Sequence, residues 1–512
     1  MEKKEKKIKF DKKKAGELAG FILFMLILFW VFCNITYLFR NTEYGRSHIV
    51  GIENENLDMV YIGGSAAFVY WQPLKAWNDC GFTSYLYATN NMQAENIKAL
   101  IEEARKSQSP DLFVIDARPF QYYSDEWEEA GLRNVSDGMD LASVSRVKLI
   151  SNYLSNRIVT DETDIASYYF DIAKYHTNTA NLGNSDAWAF KDNNGKSPNK
   201  GWEWVNAYEC LETPSNFTTD VRTELDGHGQ EILVDLLEYC SKEELNVLFV
   251  VCPYYISRSD SEKYNTIRDY VIDYGFDYLN ANEYYSEMGI DFSTDFYNIN
   301  HVNLFGAEKY TEFLERYIDE KYDLPDHRED AEYSSWNEDF QRFQCEKEIH
   351  AETVMNLKID YERGNEIAEQ LREADILAEW NMIAQDSRYT LFLVGIGKNV
   401  WPQKFSDQKV LSDWQYSEEC MTGIRVMSDA QMLASNAIDK ASSVEGILDM
   451  AGNISYCVSE KDDIATIRIG EKVYFVNEQG INALVLDNNS RLVVETAIIG
   501  VEPNGSMLIS RK

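Results

Sequence analysis

The sequence is poor in positive charge and has no closely spaced cysteines, and each shortage excludes a class of function. The 85 acidic residues outnumber 49 Lys and Arg, giving a formal net charge of −36, so we expect the chain to repel nucleic acid. The eight cysteines are scattered, which predicts neither a zinc site nor a dense disulfide framework. Gly395-Ile-Gly397 lacks the third glycine of a nucleotide-binding loop. We therefore expect no nucleic-acid partner, no metal and no cofactor.

A cluster of lysines precedes a long apolar run. Eight Lys lie within residues 1–14, and the stretch from Leu18 to Leu38 contains no charged residue. A run of this length can cross a bilayer as one helix, and it is too long for a cleaved signal peptide. The preceding lysines favour a cytoplasmic N-terminus. We predict a basic cytoplasmic tail at 1–17, a single-pass anchor in the cell membrane at 18–38, and an extracytoplasmic main body.

Short apolar runs then alternate with segments of helical periodicity. Strands are predicted at 58–63, 111–116 and 246–252, and helices at 93–106, 229–244 and 303–322. Apolar strands that alternate with helices are typical of a parallel sheet covered on both faces. Residues 119–225 are rich in Tyr, Trp, Asn and Asp with weak periodicity, and we interpret them as an insertion or lid. The sequence therefore predicts an α/β domain carrying a long insertion.

The last third of the chain has a different pattern. Residues 346–384 are charged and helical in pattern, which we interpret as a helical linker. Strands are predicted at 389–395, 465–469, 472–476, 483–486 and 491–495, with a helix near 428–440. We therefore expect a second, β-rich α+β domain at 385–512.

Ser65 follows an apolar strand and two glycines. Gly63 and Gly64 let the backbone turn sharply and leave room beside it, and a helical segment follows. A serine at such a strand-to-helix turn is exposed at the end of a sheet, near free backbone N–H groups. The pattern favours a nucleophile, and the alternative is a tight turn with a serine N-cap.

His301 is one of only six histidines. It lies in a polar loop directly before a helix, for which Asn303 is a good N-cap. A histidine late in an α/β domain, on a loop beyond a strand, is placed to act as a general base. The alternative is a surface histidine beside a helix cap.

Taken together, the two motifs resemble the first and last blocks of the SGNH (GDSL-like) hydrolases. Gly63-Gly64-Ser65 is similar to the G-x-S block, and His301, Asn303 and Gly306 are similar to the H-x-N-x-x-G extension. The resemblance covers about 41–345 and is nearest to the membrane-anchored, extracytoplasmic branch, which includes D-alanyl transfer and alginate-acetylation proteins. It implies a flavodoxin-like three-layer α/β fold with Ser65 as nucleophile and His301 as base.

The same resemblance implies a function. It indicates a serine esterase or O-acyltransferase that acts on ester groups, O-acetyl above all, of a cell-surface polysaccharide. It also implies a multi-pass membrane acyltransferase as partner.

The acid position of the expected triad departs from the family. Asn298 stands three residues before His301, where the family has Asp. In the Ser-His-Asp template, an Asn in the acid's place costs about 10⁴ in turnover because the imidazole takes the wrong tautomer. Asp295, six residues before His301, is one substitute, and a Ser–His dyad is the other alternative.

The expected oxyanion and substrate contacts are also incomplete. Gly64 belongs to the nucleophile turn, Gly81 matches the second block loosely, and Arg118 stands where the third block carries G-x-N-D. Arg118 is a candidate to hold an oxyanion, and a structural salt bridge is the alternative. These departures motivate a second hypothesis, a catalytically weak glycan-binding or scaffold protein of an envelope-polymer modification complex.

The C-terminal strands carry a separate resemblance. Gly480-Ile-Asn-Ala-Leu-Val-Leu-Asp487 and Tyr389-Thr-Leu-Phe-Leu-Val394 are similar to strands of the interleukin-like EMT inducer domain, over about 385–505. The resemblance implies carbohydrate binding, and a packing or spacer role is the alternative.

Overall fold

A computed structural model describes most of the chain. It covers residues 12–39, 56–139, 143–160, 163–178, 197–373, 383, 386–396, 422–428, 431–438, 442–448, 454–461, 464–470, 472–476, 480–501 and 507–511. Much of the predicted basic tail, part of the predicted insertion and the end of the predicted linker lie outside these residues. The chain divides into two compact units, Met1–Ala351 and Glu352–Lys512.

The first helix, α1, covers Lys12–Phe39 and contains the apolar run. Across the residues given above, no helix has both the length and the apolar character that crossing a membrane requires. The anchor expected at 18–38 is therefore not confirmed.

The first unit contains a five-stranded parallel sheet with helices around it. Its strands are β1 Met59–Gly63, β2 Ser84–Ala88, β3 Leu112–Asp116, β4 Val247–Val251 and β5 Asp277–Asn280. Its helices before β4 are α2 Ser65–Phe68, α3 Pro73–Cys80, α4 Ala94–Ala104, α5 Arg118–Gln121, α6 Glu129–Ser136, α7 Val144–Asn156, α8 Ala166–Tyr169, α9 Asp171–Tyr175 and α10 Gly229–Lys242. After β4 come α11 Arg258–Asp273, α12 Tyr285–Met288, the hairpin β6 Phe296–Asn298 and β7 His301–Val302, and α13 Leu304–Lys321. The last helix, α14 Ser334–Glu373, begins in the first unit and ends in the second. The α/β class predicted for this region is confirmed.

The strand order β2-β1-β3-β4-β5 decides where a site can form. After β2 the chain crosses back over β1, so the winding reverses between β1 and β3, which pair in parallel. In open α/β sheets ligands bind beyond the carboxyl ends of the strands at such a reversal. Ser65 follows β1 and Arg118 follows β3, so both lie at this point.

Buried arginines contribute to the packing of the segment between β3 and β4. The guanidinium of Arg157 donates to Glu95 of α4 at 2.9 Å and to Gln93 at 2.8 Å, with both charged side chains almost fully buried. Arg146 donates to the backbone oxygens of Ser136 and Tyr168. These polar contacts add to apolar packing, since Leu132, Val135 and Leu149 of the same segment are also buried in the core.

The second unit is β-rich. A six-stranded sheet has the order β10-β9-β8-β15-β16-β17, and a four-stranded sheet has the order β11-β12-β13-β14. The strands are β8 Tyr389–Ile396, β9 Thr422–Ser428, β10 Gln431–Ile438, β11 Ser442–Leu448, β12 Ile454–Lys461, β13 Ile464–Ile469, β14 Lys472–Val476, β15 Gly480–Asp487, β16 Leu492–Val501 and β17 Met507–Arg511. Phe392 of the first sheet packs on Tyr456 of the second within one buried core.

The helix predicted near 428–440 is wrong, because residues 431–438 form β10 and Ser428 ends β9. The Ala, Met, Gln and Leu residues there have good helix propensity, but β10 pairs antiparallel with β9, from Gln431 opposite Ser428 to Ile438 opposite Thr422. Ser428 also donates its hydroxyl to the backbone oxygen of Tyr389. Long-range pairing outweighs local propensity, which contributes less than about 1 kcal/mol per residue.

Candidate active site

Ser65 is presented by a turn that requires glycine at position 63. A Cβ added at Gly63 would lie 2.7 Å from the Asp116 Cβ and 2.8 Å from the Ala67 Cβ, so the close approach of β1, β3 and α2 depends on this glycine. Gly64 is the N-cap of α2 and has ordinary contacts, the nearest at 3.5 Å. Ser65 is the first residue of α2, so its N–H has no acceptor within the helix.

His301 reaches Ser65 from a hairpin at the other end of the domain sequence. The Oγ of Ser65 lies 2.7 Å from the Nε2 of His301. Tyr297 stacks on the imidazole with the ring planes 12° apart, and Asn303 begins α13 by accepting from the N–H of Phe305. The predicted nucleophile and base are therefore in direct hydrogen-bonding contact.

Asn298 is the third member of this chain of contacts. Its Oδ1 lies 3.0 Å from the Nδ1 of His301 and accepts the backbone N–H of Asn300 at 2.8 Å. Because a backbone N–H can only donate, the Asn300 contact fixes the Asn298 oxygen, rather than its NH₂, towards the imidazole. The Nδ1 must then carry the proton, which leaves the lone pair of Nε2 facing the Ser65 hydroxyl.

The imidazole is held in its neutral form. Burial, together with the positive charge of Arg118, lowers the pKa of His301 to about 3. A neutral His301 with its proton on Nδ1 can accept a proton at Nε2. The imidazolium that results faces a neutral amide, so this base is weaker than one paired with a carboxylate.

Asp295 does not take the acid position. Its buried carboxylate pairs with the Lys309 ammonium at 2.6 Å and accepts the N–H of Asp291 at 2.7 Å and the Thr294 hydroxyl at 2.9 Å. These contacts hold the base of the hairpin, whereas the Nδ1 of His301 is occupied by Asn298. The interpretation of Asp295 as a substitute acid is wrong.

Two of the three predicted oxyanion contacts lie elsewhere or are already engaged. Gly81 caps the C-terminus of α3 with a φ of 90°, and a Cβ there would fall on the Asp326 carboxylate, so its role is structural. The Gly64 N–H points at the Asp116 Oδ2, 3.4 Å away, because β3 ends beside the turn. Neither glycine therefore supplies a free donor.

Arg118 does lie at the site. Its backbone N–H donates to Asp116 at 3.0 Å, and its Nη1 donates at 3.0 Å to the carbonyl oxygen of Asn300, the neighbour of His301. Its guanidinium lies 4.3 Å from the centre of the Tyr254 ring. Arg118 thus places a fixed positive charge close enough to His301 to lower its pKa, and its role as an oxyanion donor stays a prediction.

A cavity of about 330 Å³ opens over these groups. Besides Gly64, Ser65, Arg118 and His301, it is lined by Ala66, Asn91, Met92, Asp116, Gln121, Tyr122, Tyr254, Asp260 and Asn300. Of the predicted insertion, only Gln121 and Tyr122 appear among these residues. Asn91, Asp116 and Tyr254 lie at or just after the carboxyl ends of β2, β3 and β4, so their position relative to the strands is the signal that could have found them.

A larger cavity, of about 470 Å³, lies away from this chemistry between α4, α7 and α10. Its lysines are already paired, Lys98 with Asp235 at 2.7 Å and Lys148 with Glu102 at 3.7 Å. We assign no reaction to it.

The described ranges contain no cluster of three or more His, Cys, Asp or Glu side chains arranged to hold a metal ion. No protein-family model matches the chain, and no curated protein matches its sequence. The site is therefore interpreted from its own geometry.

Proposed function

We propose that this protein is an SGNH-type serine esterase or O-acyltransferase that acts on ester groups, principally O-acetyl, of a cell-surface polysaccharide. The observation that carries the proposal is the continuous chain from the Ser65 Oγ through His301 to Asn298, with contacts of 2.7 and 3.0 Å. The strand order 2-1-3-4-5 supports it, because this is the flavodoxin-like order expected of that fold.

The mechanism follows from the tautomer of His301, whose proton lies on Nδ1 and whose Nε2 is free to accept a proton. The Nε2 of His301 takes the proton of Ser65 as the Oγ attacks the ester carbonyl carbon. Arg118 and the Ser65 N–H stabilise the negative oxygen of the tetrahedral intermediate, and one such donor contributes roughly 3–4 kcal/mol. His301 then gives its proton to the departing sugar oxygen, and the acyl group remains on Ser65. Water or another sugar hydroxyl accepts the acyl group in the second half of the reaction.

The surroundings of this reaction are part of the proposal. An extracytoplasmic position at the cell membrane and a multi-pass membrane acyltransferase as acyl donor are inferred from the sequence resemblance. Carbohydrate binding by the second unit has the same basis.

The test is covalent labelling of the folded full-length chain. We expect a fluorophosphonate probe to label Ser65 and 4-nitrophenyl acetate to be hydrolysed, because the neutral base can activate the hydroxyl. Ser65→Ala should abolish both, with an unchanged circular dichroism spectrum. Wild-type protein that is folded but neither labelled nor active would refute the enzymatic proposal.

A second candidate function is favoured by the weakness of the base. The pKa of His301 is lowered to about 3 and its partner Asn298 is uncharged, which suits a site that binds an acylated glycan without turning it over. This candidate predicts that polysaccharide binding survives in Ser65→Ala while no ester is hydrolysed by the wild type.

A further inference from the structure

The cavity over Ser65 has an exposed aromatic ring at its edge. Tyr122 lines the cavity and is 43 % exposed. Its hydroxyl donates to the backbone oxygen of Met92 on the loop after β2. The ring is thus held at both ends, by the chain after α5 and by this bond, while part of its surface faces solvent. A fixed, exposed ring is a platform for the flat face of another ring.

Two unengaged carboxamides border the same cavity. Within the described parts of the chain, the side chain of Asn91 has no hydrogen-bond partner, and neither does that of Asn300, whose backbone groups bind Asn298 and Arg118. Asn91 is held in the left-handed region, with a φ of 53°, which a non-glycine residue adopts seldom. Each carboxamide can donate and accept at once, which suits neighbouring hydroxyl groups of a sugar.

The charges of the cavity disfavour an anionic ligand. Its lining contains the carboxylates of Asp116 and Asp260 and one cation, Arg118, which is already engaged with Asn300 and Tyr254. Asp260 accepts from the Gln121 side chain at 2.8 Å. The whole chain has a net charge of −36, so a polyanion would be repelled before it reached the site.

We infer that the cavity takes an uncharged pyranose ring stacked on Tyr122, with its hydroxyl groups bound by Asn91 and Asn300, and that the substrate is a neutral rather than a polyanionic polysaccharide. This inference deepens the proposed function and rests on it for the reaction, but its binding component can be measured without turnover. Tyr122 is assigned as a specificity residue.

The experiment measures binding by the full-length Ser65→Ala chain, in affinity electrophoresis and calorimetry. The probes are an acetylated neutral glucomannan and an acetylated alginate, at low and at physiological salt. We expect the glucomannan to bind, with an affinity that Tyr122→Ala lowers about tenfold, since loss of one good aromatic contact is worth about that factor. Tyr122→Phe keeps the ring and should keep most of the affinity. Tyr284→Ala removes a similarly exposed tyrosine that does not line the cavity, and should change nothing.

Kinetics with the active chain separate the two proposals. Tyr122→Ala should lower kcat/KM for the glucomannan about tenfold more than it lowers kcat/KM for 4-nitrophenyl acetate. The extra loss should appear as a higher KM for the glucomannan. The inference is overturned if alginate and glucomannan bind equally well, or if Tyr122→Ala leaves the affinity for glucomannan unchanged. Either result counts against it even if ester hydrolysis depends on Ser65. Glucomannan binding that depends on Tyr122, in a protein without ester hydrolysis, supports the inference and refutes the proposed reaction.

Discussion

Replacing Asn298 by Asp should make this site a faster esterase. The Asn298 oxygen already faces the Nδ1 of His301 and is held there by the N–H of Asn300, so Asp can keep both contacts. What the substitution adds is a negative charge 3.0 Å from the imidazole. The base would therefore gain strength without a change in geometry.

The size of the gain follows from what is already present. In the Ser-His-Asp template the change from Asp to Asn costs about 10⁴, because the amide selects the wrong tautomer. In this protein His301 already carries its proton on Nδ1, which is the productive tautomer. Asn298→Asp should therefore gain much less than the factor of about 10⁴. A nearby opposite charge shifts a pKa by about 1–3 units, each unit being worth about 1.4 kcal/mol. Since only part of the proton is transferred at the transition state, we expect kcat/KM to rise about 10- to 100-fold.

The assay is the pH profile of kcat/KM for 4-nitrophenyl acetate. Because the pKa of His301 is lowered to about 3, the wild-type base stays neutral at every pH above that value, and the profile should be flat well into the acid range. In Asn298→Asp the carboxylate favours the imidazolium, so the acid limb should move up by about 1–3 pH units. The value of kcat/KM and the pH of the acid limb should rise together, because both depend on the basicity of His301.

Two further variants make the reasoning refutable. Asn298→Leu removes the acceptor and should lower kcat/KM, since nothing then selects the Nδ1–H tautomer. Asp295→Asn is the matched control, because this carboxylate pairs with Lys309 and not with the imidazole, so the acid limb should stay in place. An Asn298→Asp chain that is folded yet no faster, with an unmoved limb, would show that the amide is not oriented as argued.

Two predictions concern stability and are checked by thermal and urea denaturation. Gly63→Ala should destabilise the first unit by about 1–3 kcal/mol, because its Cβ would meet the Cβ atoms of Asp116 in β3 and Ala67 in α2. The control Gly64→Ala, whose Cβ would have its nearest contact at 3.5 Å, should change the free energy of unfolding by less than about 0.5 kcal/mol. Equal effects of the two substitutions would contradict the account of the turn. Arg388→Ala should destabilise the second unit by about 3–5 kcal/mol, because it removes the guanidinium that lies 2.8 Å from the fully buried Asp487 carboxylate. The control Arg468→Ala, at an exposed arginine, should lower the free energy of unfolding by less than about 1 kcal/mol.

The strands of the first unit that the sequence predicts are those formed by uninterrupted apolar runs. β1, β3 and β4 are apolar runs buried along their whole length, and the predicted strands match them to within a residue or two. β2, with the sequence SYLYA, was not predicted, because it is buried by a distant segment. The N–H of Leu86 donates to the carbonyl oxygen of Lys200, which covers this edge of the sheet. No local pattern in 84–88 contains that information.

The site divides in the same way. Ser65 and His301 stand next to local signals, a strand end with two glycines and a helix cap, so both were predicted from the sequence. Asn91 and Tyr122 belong to the site only because the loops after β2 and β3 meet across β1. Sequence spacing alone does not show whether Asp295 or Asn298 contacts the Nδ1 of His301. The answer depends on Lys309 of α13, which pairs with the Asp295 carboxylate.

One two-residue turn explains how an amide can stand in the acid's place. Asn298 and His301 are direct partners across the β6–β7 hairpin, and residues 299–300 link them. The N–H of Asn300 orients the Asn298 amide, and its carbonyl oxygen accepts from Arg118 at 3.0 Å and from the Tyr70 hydroxyl at 3.0 Å. The backbone of one residue, Asn300, thus fixes both the tautomer of the base and the position of the cation that would meet the oxyanion. Geometry is set by the backbone and basicity by the side chain, so exchanging Asp for Asn at position 298 changes the strength of the base while leaving the arrangement of the site intact.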